Sequence, residues 1–167
     1  NGQTDEGRAF LYLGSPSGLA STASWTAESN QASALFGESV SSAGDVNGDG
    51  YGDVLVGATG YTNGEVEEGG AFLYLGSALG LSSTPSWIGE SNRASAHFGY
   101  ATSSADVNGD GYSDVIVGAP DYLSAQGRAF LYLGSPSGLA STPSWTGASN
   151  QGSSNFGVSV SSAGDVN

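Results

Sequence analysis

The sequence predicts an all-β fold built from a repeated unit of four antiparallel strands, and three observations predict it. The first is internal repetition. Phe-Leu-Tyr-Leu-Gly-Ser begins at Phe10, Phe72 and Phe130. Ser-Trp recurs at Trp25, Trp87 and Trp145, and Phe-Gly at Phe36, Phe98 and Phe156. All are spaced by about 60 residues, a period that marks a repeat architecture. The second is composition: 28 of 167 residues are Gly and 11% are charged, so turns are abundant and helix formers scarce. The third is run length. Phe36–Gly44, Asp53–Ala58, Ala71–Gly76 and a weaker run at Ser86–Ile88 are short, apolar or β-branched, and separated by Gly, Asn, Asp and Ser. None carries the 3.6-residue period of a helix. Four antiparallel strands per repeat, radially arranged, describe β-propeller blades. A β-solenoid is the alternative, but its coils are usually much shorter.

Each element has a local reason. Asp53–Ala58 and Ala71–Gly76 are apolar without alternation, as strands covered on both faces are. Gly57-Ala58 and Gly118-Ala119 end the second strand, where inner strands crowd and small residues fit. The Phe of Phe-Gly is expected to fill the gap between neighbouring blades, and its Gly to admit a close backbone. Residues 36–97 and 98–155 read as full repeats, 1–35 as the second half of a blade, and 156–167 as the start of another. That amounts to about two and three-quarter repeats. A closed propeller needs about four to eight blades. The expectation is therefore a partial propeller, part of a longer protein or completed by further chains.

Charge and composition exclude several classes. Three Arg and no Lys stand against 16 Asp and Glu, a net charge of −13. A nucleic-acid binder needs a basic patch to neutralise phosphate, so nucleic acid is excluded as a partner. No apolar run of about 18 residues predicts membrane insertion. The first seven residues are polar, so no signal peptide is expected in them. With no Cys, there is no disulfide framework and no thiolate chemistry.

Asp45-Val-Asn47-Gly-Asp49-Gly-Tyr51-Gly-Asp53 is the segment that carries chemistry. It returns as Asp106-Val-Asn108-Gly-Asp110-Gly-Tyr112-Ser-Asp114. Side-chain oxygens fall at positions 1, 3, 5 and 9, and the carbonyls of Tyr51 and Tyr112 lie between them. Hard cations take such oxygen sets, and Ca²⁺ accepts six to eight ligands. The Gly at position 6 permits the sharp turn. Position 12 is Val56 or Val117 and the flanks are strand-like, which sets the segment apart from a helix-flanked calcium loop. The other reading is a loop of Asx turns whose carboxylates cap backbone amides. Two Ca²⁺ ions would move the net charge from −13 to −9. Asp165 and Asn167 begin a third copy at which no metal is expected. Weak calcium sites suit millimolar calcium, so an extracellular or cell-surface location is expected.

Phe36-Gly37, the Asp45–Asp53 loop and Gly57-Ala58, repeated as Phe98-Gly99, the Asp106–Asp114 loop and Gly118-Ala119-Pro120, resemble FG-GAP repeats. These are blades of the integrin α-subunit N-terminal β-propeller and of many bacterial secreted proteins. The close likeness of the copies to one another looks more bacterial than animal. The resemblance implies a seven-bladed propeller. It also implies Ca²⁺ in the loop between the first two strands of some blades, with those loops on the lower face and partners on the upper. The copy number here departs from seven, and no integrin ligand-binding residue maps onto this sequence.

The expected function is a non-enzymatic, calcium-stabilised scaffold for adhesion or protein–protein interaction. A lectin is the alternative, with Trp25, Trp87 and Trp145 stacking on sugar rings of a glycan ligand; buried Trp would argue against it. A propeller hydrolase is the third reading. The single His, His97, takes the place of Leu35 and Asn155 and reads as a lone surface residue. Glu65, Glu67 and Glu68 read as a solvated acidic loop; Asp5 and Glu6 repeat that acidity in the first copy, which favours a structural or solvation role, and no Ser-His-Asp set is present.

Overall fold

The computed structural model describes residues 2–163. Strands β1 (Ala9–Leu11), β2 (Gly14–Ser15), β3 (Gly18–Leu19) and β4 (Trp25–Ala27) come first. They are followed by β5 (Phe36–Gly44), β6 (Asp53–Ala58), β7 (Gly70–Tyr74) and β8 (Trp87–Glu90). The last set is β9 (Ala101–Ala105), β10 (Asp114–Ala119), β11 (Arg128–Tyr132) and β12 (Trp145–Ala148). β5-β6-β7-β8 and β9-β10-β11-β12 are four-stranded antiparallel meanders, the blades the repeat predicts. β1 pairs with β4 as the corresponding outer pair of the first copy. The small β2-β3 hairpin was not expected. A single turn at Tyr122–Ala125 interrupts the β pattern, and Leu123, Ser124 and Ala125 are left-handed there.

Two apolar seams hold the sheets face to face. In one, Ala9 and Trp25 of the first copy meet Phe36, Val56, Phe72 and Tyr74. In the other, Leu55, Ala71 and Leu73 of the β5–β8 blade meet Phe98, Val115, Val117, Phe130 and Tyr132 of the next. Leu55 and Val56 therefore serve opposite neighbours, which is why the strand is apolar without alternation. Phe98 fills the gap between blades and meets Phe130 and Tyr132 edge-to-face at 5.3 and 6.4 Å between centroids. Phe36 does the same with Phe72 and Tyr74.

Backbones approach across the seam where only Gly fits. A Cβ on Gly57 would stand 1.9 Å from the Gly99 carbonyl oxygen, and one on Gly118 equally 1.9 Å from that of Gly157. The start of each third strand also bonds to the next blade. The Phe36, Phe98 and Phe156 amides donate to the carbonyls of Glu6, Glu68 and Gln126 at 2.8, 3.0 and 3.2 Å. The Trp residues serve the same junctions. Trp25 Nε1 donates to the Ser82 carbonyl at 2.8 Å and Trp87 Nε1 to that of Ala140 at 3.1 Å. Their rings lie edge-on to Tyr74 and Tyr132. Trp145, in the last strand, is 49% exposed.

Candidate metal centre

Both acidic loops join the first strand of a blade to its second, so they lie side by side at one edge of adjacent sheets. Ser113 of the second loop clamps the first: its amide donates to the Asp45 carbonyl at 2.9 Å, and its hydroxyl accepts from the Asp45 amide at 3.1 Å.

Within the first loop the side-chain oxygens turn inward onto the chain. Asp45 Oδ1 accepts from the Asp49 amide and Oδ2 from the Gly50 amide, at 3.1 and 2.8 Å. Asn47 Oδ1 accepts from the Asp49 amide at 3.2 Å, and Asp49 Oδ1 from that of Tyr51 at 2.9 Å. Asn47 Nδ2 reaches Asp49 Oδ2 at 3.0 Å. The second loop repeats the set: Asp106 holds the amides of Gly109, Asp110 and Gly111, and Asp110 that of Tyr112. Asn108 bridges to Asp110 as Asn47 does to Asp49. These are Asx turns that fold a Gly-rich stretch with no strand partner. Positions 1, 3 and 5 are brought together near solvent.

Position 9 is placed differently. Asp53 is 1% exposed; its Oδ2 accepts from the Val46 amide at 2.9 Å and its Oδ1 from the Gly76 amide at 2.8 Å. Asp114 holds Val107 and Gly134 in the same way. This carboxylate stitches the loop to the end of the third strand. Among the described residues no three carboxylate or imidazole side chains gather as a ready metal cluster. Asp165 and Asn167 lie outside the described residues.

The donor set fits a hard cation. Every side-chain acceptor in the loop is an oxygen, each carboxylate oxygen keeps a further lone pair, and the charges are uncompensated. Burial pushes the Asp53 carboxyl above its usual range; the Gly76 and Val46 amides oppose that rise, and the charges of Asp49 and Asp45 add to it. Negative groups that repel one another across a short loop are what a divalent ion relieves.

Two of the loop acids take the structural role and are drawn inside, where a solvated loop would have left them in water. Glu68 is fully buried, with Oε1 accepting from the amides of Asn63 and Glu65 and Oε2 buried without a partner. Glu6 is 5% exposed and caps the Asn30 amide at 3.0 Å. Backbone amides in tight loops draw these carboxylates inward, which a reading of charge alone misses. His97 is likewise not alone: Nδ1 lies 2.6 Å from Asp121 Oδ2, and both side chains are about one-third exposed. Asp121 stands where the preceding copy has Gly60, so both partners depart from the repeat together.

Antiparallel four-stranded blades, packed face to face and each carrying an acidic turn between its first two strands, define a β-propeller repeat protein. Residues 36–74 and 98–132 match the FG-GAP repeat family. The chain is 37% identical over 136 residues to phosphatidylinositol-glycan-specific phospholipase D of Bos taurus, covering 74% of this chain and 16% of that protein. It is 36% identical over 146 residues to integrin alpha-3 of Cricetulus griseus, covering 83% of this chain and 14% of that one. To integrin alpha-PS2 of Drosophila melanogaster it is 40% identical over 121 residues, covering 65% and 8%. The chain belongs to the FG-GAP repeat family, and it spans less than a fifth of the length of these relatives.

Proposed function

We propose that this chain is a β-propeller module for protein–protein interaction in adhesion, stabilised by Ca²⁺ and without catalytic activity, working outside the cell or at its surface. The observation that carries the reading is the pair of exposed Asp-x-Asn-x-Asp-Gly turns, side by side on adjacent blades, whose oxygens are gathered and whose charges are uncompensated. Asp45, Asn47 and Asp49, with the Tyr51 carbonyl, are the groups that would hold one ion; Asp106, Asn108, Asp110 and the Tyr112 carbonyl would hold the second. Asp53 and Asp114 add negative charge beneath them while fixing the loop to the sheet. A bound Ca²⁺ supplies positive charge that neutralises each loop. The loops themselves tie adjacent strands and, through Ser113, adjacent blades. The likeness to integrin α chains supports the adhesion and extracellular parts of the reading. The likeness to a phospholipase D covers 16% of that enzyme's length, too small a share to carry its activity to this chain. Trp25 and Trp87 are engaged between blades, which weighs against the sugar-stacking alternative.

The test is a thermal melt in EDTA and again in 1 mM CaCl₂. With a Kd of about 0.1 mM, each occupied site adds roughly 1.4 kcal/mol. A rise in Tm that disappears in the Asp49→Ala, Asp110→Ala double variant is the expected result. Equal Tm values with and without calcium in the unaltered protein would refute the calcium role.

A further inference from the structure

The repeat supplies an internal control for one arginine. Arg8 and Arg128 occupy the same position in the first and third copies. In the first copy the residue across the strand pair is Glu28, and Arg8 donates to it through both Nε and Nη2, with Nε at 2.9 Å from Oε2. In the third copy the facing residue is Ala148, paired directly with Arg128. The arginine has been kept and its carboxylate removed. Arg128 Nε is accordingly a buried donor with no partner.

The surroundings of Arg128 raise the positive charge further. Its guanidinium lies 4.3 Å from the centroid of Tyr122, and Arg93 lies 5.5 Å from the same centroid. Neither arginine has a carboxylate within 4.0 Å among the described residues, and the nearby acid, Asp121, is engaged by His97. Two of the chain's three cationic side chains and its only histidine thus meet at one blade junction of a protein with net charge −13. The acidic loop of the same blade opens the far end of β10. The six residues of that strand separate the two by about 17 Å. That is about two screening lengths at physiological salt, so the loop charge does not quench this site.

We propose that Arg128, flanked by Arg93 and Tyr122, is a receptor for a carboxylate side chain, Asp or Glu, presented by a partner protein. The ligand carboxylate takes the role that Glu28 plays for Arg8. The fork of a guanidinium pairs bidentately with a planar carboxylate, and the aromatic face holds the fork in place. The proposal deepens the interaction-module reading and rests on it for the source of the carboxylate.

Three arginines and no lysines make the test direct, because the ¹H–¹⁵N spectrum then carries only three arginine Nε–H signals. The protein in 1 mM CaCl₂ is titrated at constant ionic strength with an end-capped Gly-Glu-Glu-Gly peptide, with glutarate, and with sulfate. The expected result is a saturable shift of the Arg128 Nε–H with peptide and glutarate, at least fivefold larger than that of Arg8. Ala148→Glu rebuilds the internal pair: it moves the Arg128 signal toward that of Arg8 without ligand and abolishes the titration. Arg93→Gln, remote from the strand pairing, weakens peptide binding at least threefold. Parallel, unsaturating shifts of Arg8 and Arg128 would overturn the site. Saturation by sulfate alone would overturn the carboxylate assignment, and saturation by glutarate without peptide would overturn the protein source. The EDTA melt reads the calcium loops independently, so the two readings fail separately.

Discussion

Replacing Asp53 by Ala separates the two tasks that the acidic motif combines. Asp53 caps the amides of Val46 and Gly76, both in buried surroundings, while Asp49 accepts from the Tyr51 amide and the Asn47 side chain, both exposed. Each buried N–H left without an acceptor costs about 1–3 kcal/mol. Two of them give about 2–6 kcal/mol, and relief of the buried charge, visible in the raised Asp53 carboxyl, places the expected loss near 3 kcal/mol. At about 2–4 °C per kcal/mol for a domain of this size, Tm falls by roughly 6–12 °C in EDTA. Asp49→Ala, measured under the same metal-free conditions, costs about 0.5–1 kcal/mol, since water replaces the lost acceptor. In CaCl₂ the order changes in kind: Asp49→Ala loses the calcium increment of its own site, and Asp53→Ala stays low with or without metal. Urea unfolding in EDTA and in calcium reads all four values. Equal losses for Asp49→Ala and Asp53→Ala in EDTA would refute the division of roles.

The remaining expectations use the same internal controls. Phe98→Ala, from a fully buried ring, costs about 3–5 kcal/mol, while Phe156→Ala, the same motif position at 39% exposure, costs about 1 kcal/mol or less; urea midpoints compare them. Glu68→Gln keeps the Oε1 acceptor for Asn63 and Glu65 and removes a buried charge, as Gln126 does in the third copy. Stability therefore rises by about 1 kcal/mol, and a fall would refute the reasoning. Burial pushes the phenols of Tyr74 and Tyr132 up to about 12, with the charge of Glu90 adding at Tyr132. The unfolded chain ionises them near 10, so their contribution, about 2–3 kcal/mol each, is complete below pH 10 and lost as pH rises from about 10 to 12. Absorbance at 295 nm should show Tyr74 and Tyr132 ionising only with alkaline unfolding.

The first two strands of the blade were legible because turn-forming residues lie between them. Phe36–Gly44 and Asp53–Ala58 appear with the ends the sequence predicts, since Gly, Asn and Asp punctuate them. The third run was placed one residue late and too long. Gly76 looks like a strand end in sequence, yet its amide is taken by Asp53, a bond 23 residues distant that no local pattern encodes. The same holds for the acidic motif. Spacing by two brings Asp45, Asn47 and Asp49 together, whereas position 9 is drawn inside by the amides it meets, and only the packed sheet reveals that. The departure from the repeat at His97 was visible, but its meaning was not. His97 gains sense once Asp121 stands 2.6 Å away, and Arg128 once Ala148 is seen facing it where Arg8 faces Glu28. A repeat protein writes its fold in what recurs. Its specificity lies in pairs of positions that depart together, and such pairs become readable only when the strand register shows which residues face each other.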